Sequence, residues 1–107
     1  MAGGVVKVYG AAVSPYVATV LVCLEEVGAA YEVVPLDMAA REQKAPHHLA
    51  RNPFGEIPAM EDGDITLFES RAISRHVLRK HKSAGAADLL REGNLEEAAM
   101  VDAWLEA

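Results

Sequence analysis

β-Branched and apolar residues crowd the start of the chain in Val5-Val6-Lys7-Val8-Tyr9, and Gly10 closes the run. Such a stretch predicts a mostly buried strand followed by a loop. Ser14-Pro15 then has the form of a helix cap with proline in the first turn. Val17, Val20, Leu21 and Leu24 recur at helical spacing until Gly28 stops the helix. A second short strand is predicted over Tyr31 to Pro35. A strand, helix and strand this compact imply a parallel pair joined by a right-handed crossover.

Residues 36–52 are polar and weakly periodic, and Pro46 interrupts them, so a loop with an irregular helix near Arg41 to Arg51 is expected. Ile57-Pro58-Ala59-Met60-Glu61 and Ile65-Thr66-Leu67-Phe68 flank Asp62-Gly63, a dipeptide that favours the positive backbone angles of a tight antiparallel hairpin. A helix follows over Ser70 to Lys80, with Ala72, Ile73, His76 and Val77 inward and Arg71, Arg75 and Arg79 outward. This order is the thioredoxin-like plan: α/β, a four-stranded mixed sheet covered by three helices. A linker to about Glu92 leads to a last helix, Asn94 to Ala107, with Leu95, Ala98, Val101 and Leu105 on one stripe and Met100 above Trp104. It ends without Gly or Pro and with Trp104-Leu105 uncovered, so the rest of a helical domain is expected beyond it. The expected division is therefore residues 1–83 as the thioredoxin-like domain and 84–107 as linker and first helix of an incomplete helical domain.

A length of 107 residues, about half of them apolar, supports one modest core. No run approaches the roughly 18 apolar residues of a membrane span, and Met1-Ala2-Gly3-Gly4 lacks a secretory plan. The lone Cys23 has no disulfide or metal partner at suitable spacing and is expected in the core; a soluble, intracellular chain follows as the expectation. The formal charge of −6 is uneven: nine Lys/Arg against ten Asp/Glu over residues 1–83, one against six over 84–107. Without a basic stripe, nucleic-acid binding is not expected, whereas a small anionic ligand held locally remains open.

Ser14 sits where free backbone N–H groups and the helix field favour negative charge, so it suits either a plain cap or a donor to a thiolate. Pro58 is either an edge-strand proline or, in the cis form, a residue that turns the backbone of Ile57 outward toward an extended peptide ligand. Ser70 opens a helix and either caps it or helps hold a carboxylate. His47-His48, His76 and His81 lack the spacing that metal sites usually show, and no metal is assigned. The Arg71, Arg75 and Arg79 series reads as a solvated face or a partner-binding one.

Taken in order, Lys7-Val8-Tyr9-Gly10, Ser14, Asn52-Pro53-Phe54-Gly55-Glu56-Ile57-Pro58, Glu61-Asp62-Gly63-Asp64, Leu67-Phe68-Glu69-Ser70-Arg71-Ala72-Ile73 and Leu90-Arg91-Glu92-Gly93-Asn94-Leu95-Glu96-Glu97-Ala98 resemble the phi-class (plant-type) glutathione transferases over essentially the whole chain. The resemblance implies conjugation of the glutathione thiolate to small hydrophobic electrophiles, a cytoplasmic detoxification role and a homodimer, weakened here. Glutathione is the co-substrate and no further cofactor is implied. Ser14 matches the thiol-activating serine and Lys44 a basic residue that meets the glycyl carboxylate. Pro58 matches the cis-proline beside the backbone of Ile57, and Glu69-Ser70 match the pair that holds the γ-glutamyl end. Gln43 stands where histidine is frequent and Glu56 where glutamine is, so the chain departs from the pattern at both.

Three alternatives sit beside this reading. A thiol-disulfide oxidoreductase would carry Cys-Pro-Tyr-Cys in place of Ser14-Pro15-Tyr16-Val17, and serine forms no mixed disulfide. Tyr9 is a rival thiol donor, as in other transferase classes. A truncated, non-catalytic glutathione-binding module is the alternative function, because the family's electrophile pocket is walled largely by the helical domain.

Overall fold

The computed structural model describes residues 4–82 and 87–107. Its elements run β1 (Val6–Gly10), α1 (Pro15–Val27), β2 (Tyr31–Pro35), a 3-10 turn at Glu42–Lys44, α2 (Pro46–Leu49), β3 (Ala59–Asp62), β4 (Ile65–Phe68), α3 (Ser70–Lys80) and α4 (Leu95–Glu106). The sheet order is β2-β1-β3-β4, with β1 parallel to β2 and both remaining pairings antiparallel. This is the thioredoxin-like arrangement read from the sequence.

Alternation along the strands decides the layers. Val6, Val8 and Met60 share one sheet face and, with Val17, Val20 and Leu24 of α1 and Ile73 and Val77 of α3, form a fully buried cluster. Tyr9, Lys7 and Glu61 belong to the opposite face, where the chain around α2 brings Arg51 to 3.7 Å from the Tyr9 ring. Two helices thus cover one face and only a short, irregular segment approaches the other. Cys23 is a half-buried thiol packed against the core, and burial raises its pKa.

Several boundaries and faces differ from expectation. The expected strand at Ile57 begins at Ala59, opposite Tyr9; Pro58 has no N–H to give to the ladder, and residues 57–58 stay outside it. The hairpin turn is Gly63-Asp64, since Asp62 pairs with Ile65, and Gly63 takes φ +61°. Ser70 is the first helical residue rather than the cap; Glu69 holds that place without a capping side chain. The buried stripe of α3 is Ser70, Ile73, Ser74 and Val77, an i, i+3, i+4, i+7 series, so Ala72 falls outside it and is exposed.

The arginines of α3 are not free in solvent. Arg75 reaches Asp102 at 3.3 Å and Glu106 at 2.9 Å, Arg71 donates to the Leu105 carbonyl at 3.0 Å, and Arg79 pairs with Glu92 at 2.7 Å. Arg71 and Arg75 dock α4, and Arg79 the segment before it; the cap of α4 is Asn94, accepting from the Glu97 N–H at 3.0 Å. No residue of α4 is buried: Ala98, Val101 and Leu105 are half-buried, while Leu95, Met100 and Trp104 are 89%, 64% and 79% exposed. The expected domain boundary at residue 83 and the start of the linker lie outside the described residues. Among the described residues no helix is long and apolar enough to cross a membrane.

Candidate functional site

The loop after β1 ends in Ser14, whose extended backbone and side-chain oxygen cap α1 by accepting from the Val17 N–H at 3.4 Å. As an acceptor there, the hydroxyl still has its own proton to donate. Pro15 occupies the first helical position, where its missing N–H costs nothing. Ser14 lines a cleft of about 480 Å³, and so do the other residues that the resemblance assigned to ligand binding: Gln43, Lys44, Glu56, Ile57, Pro58, Glu69 and Ser70.

The wall between α2 and β3 is wired by His48, Arg51 and Asn52, to which the sequence reading gave no part in the site. His48 is fully buried, and its Nε2 lies 2.8 Å from the Glu56 carbonyl. A carbonyl only accepts, so Nε2 carries the proton and Nδ1 is left to accept from the Arg51 guanidinium at 3.2 Å. Asn52, 2% exposed, donates to the same carbonyl at 3.0 Å and accepts from the Phe54 N–H at 2.9 Å. Asn-Pro was the available signal, since Asn favours turns that bond their own backbone. Tyr16, Met38, Gly55 and Arg71 also line the cleft without having been singled out for it.

Charge and polarity in the cleft are mixed. Lys44 donates to the Phe54 carbonyl at 3.0 Å. Gln43 Oε1 is buried with no hydrogen-bond partner in the protein, an uncommon state for a polar atom. The Ile57-Pro58 bond is cis. Glu69 has φ +74°, sparsely populated for a residue with a side chain, a conformation found preferentially at functional sites. Behind it, Ser70 opens α3, whose first turn contains no acidic side chain to satisfy the N-terminal N–H groups.

Tyr9 is engaged elsewhere. It is buried, absent from the cleft lining, and donates its hydroxyl to Glu61 Oε1 at 2.6 Å; burial and that bond raise its pKa. The histidines also depart from expectation, because the fold brings together what the spacing did not. His76 and His81 both point Nε2 at Asp62 Oδ2, each at 2.8 Å. Burial acts against the Asp62 charge, but hydrogen bonds from His81, His76 and Lys80 outweigh it and lower the carboxyl to about 2.

A thioredoxin-like domain with a mixed-charge cleft, bounded by a serine-capped helix start and a cis-proline, is the class that fold and site define. The family described as "Glutathione S-transferase, N-terminal domain" matches residues 4–79, and the chain belongs to it. The chain is 65% identical over 101 residues to the probable glutathione S-transferase GSTF1 of Oryza sativa subsp. japonica, covering 94% of this chain and 46% of that protein. To glutathione S-transferase 4 of Zea mays it is 58% identical over 106 residues, covering 99% and 46%. The structure of glutathione S-transferase I from maize in complex with an atrazine glutathione conjugate matches with a TM-score of 0.85 at 53% identity, over 96% of this chain and 46% of that one. These relatives are of the plant phi class. The chain spans about half the length of the curated relatives it matches.

Proposed function

We propose that this chain is the glutathione-binding half of a phi-class glutathione transferase that conjugates the glutathione thiolate to small hydrophobic electrophiles. The observation that carries the reading is the convergence of Ser14, Lys44, Ile57 and the Glu69-Ser70 pair on one cleft. Ser14 donates a hydrogen bond from its hydroxyl to the thiolate at the positive end of α1, which lowers the thiol pKa from its ordinary value of about 8.5. The thiolate sulfur then attacks the electrophilic carbon; an S–C bond forms, and a halide leaves or the adduct takes up a proton.

The tripeptide is held by complementary groups. The backbone of Ile57, outside the sheet ladder, pairs with the cysteinyl part as an added strand. Lys44 meets the glycyl carboxylate by a charge-assisted contact, Glu69 the γ-glutamyl ammonium, and Ser70 with the N–H groups at the start of α3 the γ-glutamyl carboxylate. Gln43 Oε1 offers its unused acceptor to a ligand N–H, a role histidine would fill differently. Glu56, a carboxylate where glutamine is frequent, is the least favourable neighbour for an anionic ligand. Glutathione is a co-substrate, and the reaction needs no resident cofactor.

Detoxification in the cytoplasm is the accompanying role, in keeping with the free thiol of Cys23. Residues 1–83 form the glutathione-binding domain and 84–107 the linker and first helix of a helical domain. A homodimer completes the proposal, with light scattering as its check: a monomer at high concentration refutes it.

The test is glutathione binding and turnover with a chlorodinitrobenzene-type substrate, on this chain and its Ser14→Ala variant. Turnover that collapses in the variant while glutathione still binds supports a transferase with Ser14 as activator. Binding without turnover in either protein favours the non-catalytic module. No binding in either refutes both.

A further inference from the structure

We propose that Asp62, His76 and His81 form a zinc-type divalent cation site that staples the end of β3 to the end of α3. The three side chains come from separate places: Asp62 is the last residue of β3, His76 lies in the penultimate turn of α3, and His81 directly follows the helix. Their ligand atoms lie within 4.8 Å of one another, with Asp62 buried and both histidines half-buried. Asp62 is 7% exposed at the side chain, the two imidazoles 19% and 21%.

The donor set selects the ion. Two imidazole nitrogens and one carboxylate suit zinc, cobalt, nickel or copper, whereas magnesium and calcium require mostly oxygen ligands. Zinc binds imidazole nitrogen at about 2.0–2.1 Å and carboxylate oxygen at about 2.0–2.2 Å, which sets tetrahedral ligand atoms about 3.4 Å apart. The present 2.8 Å contacts to Asp62 Oδ2 therefore open by roughly half an ångström, with both rings moving their remaining proton to Nδ1. The rings are nearly perpendicular, 81° apart with centroids at 6.4 Å, so both can aim Nε2 at one point from different sides. Three protein ligands leave the fourth position to water. One charge opposes the ion: Lys80 Nζ lies 3.2 Å from Asp62 Oδ1, on a side chain that is 50% exposed and able to swing into solvent. The site lies outside the cleft lining, so its occupancy is readable without glutathione.

The experiment uses the full chain freed of metal, titrated with zinc by calorimetry and with cobalt by visible absorption, together with histidine-ring nitrogen NMR of the unsubstituted protein. The expected result is one ion per chain, cobalt bands of tetrahedral intensity, ring shifts at His76 and His81 only, and a melting temperature that rises with zinc. His76→Gln and His81→Gln, whose side-chain amides retain a hydrogen bond to Asp62, each lower affinity at least about tenfold, as even loss of a ligand's supporting partner does. Lys80→Gln raises it severalfold. Rings of His76 and His81 that do not move in excess zinc overturn the proposal, as does binding that survives both histidine substitutions or centres on His47 and Glu42, which are paired at 2.9 Å.

Discussion

Gly55 couples the backbone of the cleft wall to its cation, and Gly55→Ala measures that coupling. The residue closes a turn, its N–H bonded to the Asn52 carbonyl at 2.9 Å, with φ +63°. A Cβ there would stand 2.7 Å from Lys44 Cδ, 3.0 Å from Lys44 Nζ and 3.1 Å from the Gln43 carbonyl oxygen. The left-handed backbone costs an alanine about 1–2 kcal/mol. Lys44 can escape the contact only by giving up its bond to the Phe54 carbonyl, worth about 1 kcal/mol. The expected loss is thus about 2–3 kcal/mol, or roughly 10 °C in melting temperature for a chain of this size. Urea unfolding and thermal circular dichroism read it. In a Lys44→Ala background the side-chain share, about 1 kcal/mol, disappears, and the double-mutant cycle isolates it. With Lys44 as the partner of a ligand carboxylate, Gly55→Ala also weakens glutathione binding by about tenfold, the loss of one charge-assisted hydrogen bond. Equal destabilisation in both backgrounds refutes the Lys44 contact, and no destabilisation in either refutes the turn conformation.

Tyr9→Phe removes a hydrogen bond to Glu61 and is expected to cost about 1 kcal/mol of stability while leaving the pKa of bound glutathione unchanged; an ultraviolet thiolate titration that shifts in this variant refutes the assignment of Ser14 over Tyr9. Arg75→Ala breaks two exposed ion pairs and lowers global stability by less than about 1 kcal/mol, an effect that fades with salt. Its signature is faster amide exchange in α4 than in α3, and α4 amides as protected as the core would show that more than these pairs holds the helix. Leu24→Ala, in the fully buried cluster, is expected to cost about 2–5 kcal/mol in urea unfolding, and a loss below 1 kcal/mol would mean that the α1–sheet interface collapses around the gap.

The elements themselves were legible because their causes are local. Period-two and period-3.6 apolar patterns, Ser14-Pro15 at one helix start and Gly28 at its end, and a glycine in the hairpin turn are each written within a few residues. Ser14, Ile57 and Glu69-Ser70 were recognisable within an ordered set of motifs, and Lys44 by its match to a basic ligand-binding residue. Their gathering into one cleft is a result of the crossover and the hairpin, which bring the segments after β1, β2 and β4 and the one before β3 to the same end of the strands.

What stayed hidden depends on partners distant in sequence. Nothing near His48 announces that its ring will be buried under the Glu56 carbonyl, and nothing near Tyr9 that Glu61, 52 residues on, will accept its hydroxyl's hydrogen bond. The positive φ of Glu69 and the docking of Arg71, Arg75 and Arg79 against the last helix and Glu92 are likewise products of packing. His76 and His81 follow no ligand spacing because the residue that joins them, Asp62, comes from a strand end. The chain's apolar rhythm and turn chemistry determined which segments became strands and helices, since those preferences act between neighbours. Only the tertiary structure decided which polar groups face one another, because a buried group such as His48, Asn52 or Asp62 has no water to turn to and takes the partner that the fold supplies.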